Sequence, residues 1–96
     1  MTTIVPLQAV PAQKLYITLG GQNVGISIYM IGERLYLDLA LNDDPIITSV
    51  ICQDRVNLIS EESYGFSGNL AFIDTQGKSD PEYTGLGSRY LLAYLS

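Results

Sequence analysis

The sequence predicts an all-β domain, a small antiparallel β-barrel or β-sandwich of about seven strands. Three observations predict it. Apolar and polar residues alternate at period two through three consecutive segments between Gln13 and Leu41. Gly-Gly, Gly-Glu and Asn-Asp pairs stand in the intervals where hairpin turns belong. No stretch carries the apolar spacing of an amphipathic helix of ordinary length.

Residues 1–12 read as an extended N-terminal arm or edge strand, ahead of a single β domain over residues 13–96. Pro6 and Pro11 remove backbone donors and fix φ, which excludes a central strand. Ile4, Val5, Leu7 and Val10 are apolar and need cover, which the arm is expected to find on neighbouring subunits. The alternation starts after the arm. Leu15, Ile17 and Leu19 share one face against Tyr16 and Thr18, and Gly20-Gly21 supplies a tight turn. Val24, Ile26, Ile28 and Met30 continue that face, and Gly32-Glu33 turns the chain again. In "RLYLDLAL", Leu35, Leu37, Leu39 and Leu41 alternate with Tyr36, Asp38 and Ala40. This is a meander with one buried and one wetter face.

"NDDP", Asn42 to Pro45, is a turn whose Asn and Asp side chains mimic backbone hydrogen bonds. "IITSVICQ" is β-branched and reads as the next strand. "RVNLIS" reads as a short further strand, or as a continuation after a bend at Asp54. "EESYGFSG" reads as a loop, "NLAFID" as a strand, and "SRYLLAYL" as the last strand. Leucine and alanine in that last segment favour helix, but its tyrosines and terminal position favour strand.

Composition bounds the function. Ninety-six residues make one small domain, and with one cysteine no internal disulfide forms. There is no histidine, which excludes histidine–cysteine zinc sites. Charged residues are 16% and apolar residues 47% of the chain, a sparse charge supply for so large a relative surface. That balance points to apolar surface covered by other chains. A net charge of −5 argues against nucleic-acid binding, which needs a basic face. Charges or glycines interrupt every apolar run before membrane-spanning length. "MTTIVPLQAVPAQK" lacks the basic start and apolar core of a signal peptide, so a cytoplasmic site of synthesis is expected.

The chemistry-bearing candidates are few. In "DTQGKSDPE", Asp74, Asp80 and Glu82 carry carboxylates, but their spacing does not match a calcium loop. A solvated loop with turns around Gly77 and Asp80-Pro81 explains them. "GLGS", Gly85 to Ser88, resembles a phosphate cradle, yet such a cradle opens a helix and Arg89 here opens a strand. Ser60 stands beside Glu61 and Glu62, and Cys52 stands two residues before Asp54, without a histidine to activate either. Cys52 reads as a small buried apolar residue. The acid pairs Asp43-Asp44 and Glu61-Glu62 read as solvated charge. No catalytic, cofactor or metal residue is therefore expected. Tyr16, Tyr29, Tyr36, Tyr90 and Tyr94 fall on strands, where tyrosine serves either an interface or the rim of a core.

The order of these features carries a resemblance. A short "IVPL" strand precedes a strand ending in Gly-Gly. Tyr36 to Leu39 form an aromatic-Leu-Asp-Leu strand, followed by Pro45 before an apolar strand. Then come Gly68 with Leu70, Asp74, Gly77 with Asp80-Pro81, Leu86-Gly87, Arg89 and Tyr94-Leu95. Over nearly its whole length the chain resembles the phage baseplate plug family of contractile-tailed phages. Tryptophan, frequent in that family's meander, is absent here.

The resemblance implies a structural, non-enzymatic virion protein without cofactors. It would plug or adapt the tail-tube end near the hub–spike complex, as a ring or cluster of copies among baseplate, tail-tube and hub–spike proteins. Assembly would take place in the bacterial host cytoplasm, with no nucleic-acid binding and no membrane insertion. The Asp74 to Arg89 segment would be a connector, with Arg89 pairing with Asp74 or Asp38. The alternative reading is a monomeric ligand-binding β-barrel, a sugar-binding or adaptor module.

Overall fold

The computed structural model describes residues 2–59 and 68–95. Seven strands run as β1 (Thr2–Val5), β2 (Ala12–Leu19), β3 (Gln22–Ile31), β4 (Arg34–Leu41), β5 (Asp44–Ile51), β6 (Asn69–Asp74) and β7 (Tyr90–Leu95). They form two antiparallel sheets, β2-β3-β4-β5 and β1-β7-β6. Among the described residues no ladder joins the two sheets, so the architecture is a sandwich rather than a closed barrel.

The four-stranded sheet follows from its alternation. The register sets Leu15 opposite Ile26, Ile26 opposite Leu39, and Ile28 opposite Leu37. Val24, Ile26, Ile28, Leu35, Leu37 and Leu39 are buried, with Leu15, Ile17, Met30 and Leu41 partly buried around them. The hairpins behave as their residues require. Gly20 and Gly21 have φ of 58° and 76°, and Asn42 and Asp43 have φ of 50° and 69°. Both pairs have the double positive φ of turns that match strand twist.

The three-stranded sheet lays Val5, Leu70, Phe72 and Leu92 against the same apolar cluster. Pairing sets Phe72 opposite Leu92 and Val5 opposite Leu92 on its other side. One core therefore lies between the sheets and draws on both.

The N-terminal segment takes the edge-strand alternative read for residues 1–12, at the edge of its own chain's sheet rather than laid on a neighbouring subunit, and the strand it adds offsets one that is absent further along. Thr2–Val5 pairs with β7, and Val5 is 1% exposed. The prolines stand outside that ladder, Pro6 just after it and Pro11 just before β2. The proline argument thus bore only on residues 6–11. Leu7 and Val10 are also partly buried on their own chain, and Ile4 alone of the four remains exposed.

Conversely, residues 55–59 are not a strand. Isolated bridges alone join this stretch to β6, Asn57 with Ala71 and, just before it, Asp54 with Phe72. Arg55 takes a φ of 57°, which breaks an extended path. Leu58 and Ile59 are nonetheless buried, which explains their apolar spacing. The loop expected over Glu61–Gly68 lies outside the described residues except for Gly68.

Candidate functional site

The Asp74–Arg89 connector holds the densest polar geometry among the described residues. The ladder pairs Asp74 with Tyr90, so the two ends of the connector meet at the end of the three-stranded sheet. Asp74 is 1% exposed. A carboxylate so placed needs donors on both oxygens. Arg89 supplies two, Nε to Oδ1 and Nη2 to Oδ2, each at 2.9 Å. The backbone N–H of Gln76 donates to Oδ1 at 2.9 Å, and that of Ser79 to Oδ2 at 2.8 Å. The Arg89 guanidinium therefore holds the Asp74 carboxyl well below the usual carboxylate range, against burial and with help from the two N–H groups. Of the two partners expected for Arg89, Asp74 is the one it meets.

A second layer ties this connector to the other sheet. Asp54 accepts the N–H of Asp74 at 2.8 Å and pairs with Arg55. Arg55 donates to the carbonyls of Asp74 and Gly77, each at 3.2 Å. Asp80 accepts the N–H of Asp54 at 3.1 Å and the guanidinium of Arg34, the first residue of β4, at 2.9 Å. All three arginines of the chain, Arg34, Arg55 and Arg89, thus meet three aspartates in one corner. That corner is neutral, so the net charge of −5 belongs to the remaining surface.

The glycines fit the same corner. A side chain on Gly85 would meet the Tyr90 ring at 2.7 Å. Gly87 has a φ of 84°, and a side chain there would meet the Leu7 carbonyl oxygen at 2.4 Å. The segment after β1 is thus seated directly on the connector. A single 3-10 turn at Tyr83–Gly85 precedes Leu86, which is buried. "GLGS" is therefore a turn leading to a strand, since β7 and no helix follows.

The corner acts as a clasp. Its guanidinium groups are bonded to its own carboxylates and carbonyls, and Asp74 and Asp80 are turned to the chain's own donors. Glu82 is exposed. No three of His, Cys, Asp or Glu stand together to hold a metal among the described residues. Cys52 is buried in the core, and burial pushes its thiol up to about 12. Asp54 faces Arg55 and the Asp74 N–H rather than that thiol. Asp43 and Asp44 are exposed. Ser60, Glu61 and Glu62 lie outside the described residues.

The tyrosines divide. Tyr90 and Tyr94 are each 3% exposed and belong to the core, whereas Tyr16 is 68% exposed. Tyr29 and Tyr36 are half-buried and face each other across β3 and β4. Tyr29 belongs to a small polar knot that sequence reasoning missed. Its hydroxyl donates to Asp38 at 2.8 Å, and Asp38 also accepts the N–H of Ser49 at 2.7 Å. Ser49 has a φ of 53° within the irregular β4–β5 register. Nothing periodic marks a bulge in advance, though an Asp amid a leucine strand was a signal that something polar would meet it. A shallow groove of about 470 Å³ runs beside Tyr16, lined also by Asn23, Asn42 and Asp43.

The sequence pattern of the family described as cyanophage baseplate Pam3 plug gp18 matches residues 1–96. No curated protein matches the chain. The chain belongs to that baseplate plug family.

Proposed function

We propose that the chain is a structural, non-catalytic subunit of a contractile-tail baseplate, plugging or adapting the end of the tail tube beside the hub–spike complex. The observation that carries this reading is the family match over the full sequence. Copies of the chain stand in a ring or cluster about the tail axis, against baseplate, tail-tube and hub–spike proteins. They assemble in the host cytoplasm and need no cofactor or metal. The chemistry agrees with that role. The polar corner is spent on holding the two sheets and the N-terminal segment together, which suits a part that must keep its shape. The acidic remainder of the surface suits a neighbour of DNA, because like charge prevents sticking.

A density map of the assembled tail tip tests the reading. The chain is expected at the end of the tube. Its absence from purified tails, or a position on the outer fibres, would overturn the reading. Calcium titration of the isolated chain by calorimetry tests the metal-free connector. No heat is expected at micromolar calcium, and tight binding would make Asp74, Asp80 and Glu82 the first residues to substitute.

A further inference from the structure

The four sheet edges are not treated alike. β5 carries Pro45, the left-handed Ser49 and two register shifts, devices that stop a strand from being paired further. β6 is bridged on its outer side at Phe72 and Ala71 by Asp54 and Asn57. β1 is only four residues long. β2 is eight residues long, free of internal proline and regular over its whole ladder with β3. Among the described residues no strand pairs with its outer edge. Leu19 and Gln22 close the β2–β3 hairpin. In an antiparallel ladder the backbone N–H and C=O of Gln13, Leu15 and Ile17 then face β3, and those of Lys14, Tyr16 and Thr18 face outward. An open edge of this kind invites another strand.

We infer that the outer edge of β2 is an interface for a second copy of this chain, joined through antiparallel β2–β2 pairing about Tyr16. The segment is self-complementary in that register. Tyr16 stands opposite the second copy's Tyr16, Leu15 opposite Ile17, and Lys14 opposite Thr18. Aromatic meets aromatic and apolar meets apolar on the appropriate faces, and no like charges are apposed. Leu15 and Ile17 are only partly buried in the single chain, and the pairing covers them. Charge favours the same edge. β2 holds no acidic residue in a chain with ten, so two copies of net charge −5 approach there with least repulsion. Two four-stranded sheets then become one continuous sheet. The inference rests on the strand edges and not on the baseplate reading, so either stands if the other fails.

Sedimentation of the isolated full chain over a concentration series tests it, alongside amide hydrogen exchange. A dimer is expected, with the N–H groups of Lys14, Tyr16 and Thr18 protected. Tyr16→Pro removes an outward donor and no bond to β3. Tyr16→Glu keeps the donor and apposes two carboxylates. Each is expected to weaken association by about tenfold and to expose those three amides, with circular dichroism unchanged. Tyr16→Glu decides the matter if the proline variant fails to fold. A chain that stays monomeric at all concentrations, or a dimer that survives Tyr16→Glu, overturns the inference.

Discussion

The two sheets share one core but use their outer faces differently. On the four-stranded sheet the faces separate cleanly. Leu35, Leu37 and Leu39 are buried, while Tyr36, Asp38 and Ala40 are half-buried on the other side. The three-stranded sheet does not separate. Leu92 and Phe72 fill the core, yet Ala93 behind them is fully buried and Ala71 is 5% exposed. Ile73, Leu91 and Leu95 on that outer face are partly buried too. The difference teaches that the meander behaves as a half-wet antiparallel sheet, whereas β7, the central strand of its sheet, carries apolar residues on both faces.

Truncating the core on either side is the strongest way to break this comparison. Phe72→Ala is expected to cost about 3–5 kcal/mol and Leu37→Ala about 2–5 kcal/mol. Both side chains are fully buried in one cluster. Each variant should therefore show one urea transition at a lower midpoint. Two separate transitions would mean that the sheets fold independently, and an unchanged midpoint would refute the burial.

The Asp74–Arg89 pair at the heart of the clasp sits at the end of the three-stranded sheet. Its folded carboxyl lies below the ordinary range, so it contributes stability above about pH 4, lost progressively as pH falls towards the folded value. Asp74→Asn is expected to lower the melting temperature at pH 7. It should also flatten the loss of stability that the parent protein shows between about pH 5 and pH 2. Thermal melts across that range check the claim. Parallel acid limbs in the two proteins would place the acid sensitivity elsewhere.

The same contrast explains what was legible in the sequence. β2, β3 and β4 could be read residue by residue, because period-two alternation reports a sheet with one dry face. β7 could be assigned only from tyrosines and position, since "YLLAYL" has no alternation to read when both faces are apolar. Residues 55–59 misled, because Leu58 and Ile59 are buried without a ladder. The clasp was half visible. Arg89 with Asp74 was one of two pairings in reach, but Arg34 and Arg55 meet Asp80 and Asp54 through tertiary placement. No local spacing reports that.

Gly87→Ala sharpens the comparison at the seam between β1 and the connector. The added methyl would sit on the Leu7 carbonyl, and the φ of 84° disfavours any side chain. A loss of about 1–3 kcal/mol is expected. Amide exchange should rise first in Thr2–Val5, because β1 is short and its exit is held at this contact. Gly21→Ala is a control with open space around it and a similar φ, so it isolates the backbone strain from the clash. Equal losses in the two variants would mean that the Leu7 contact contributes nothing.

Tyr29→Phe probes the wet face of the four-stranded sheet and should give the smallest effect. It removes a hydroxyl bonded to Asp38 and, at 3.0 Å, to Ser49 Oγ, leaving Asp38 with the Ser49 N–H and with solvent. A half-exposed hydrogen bond of this kind is worth about 0.5–1 kcal/mol. The ring itself remains opposite Tyr36 in the β3–β4 register, so the ladder should persist. Asp38→Ala removes both bonds and should cost more than Tyr29→Phe, because the left-handed Ser49 loses the acceptor for its N–H. Combining the two substitutions should cost less than the sum of the single losses, since both remove the Tyr29–Asp38 bond, while the bond from Tyr29 to Ser49 Oγ is lost only with the tyrosine hydroxyl. Full additivity in that double-mutant cycle would show that Tyr29 and Asp38 stabilise the sheet separately, and that the wet face has no knot holding its bulge.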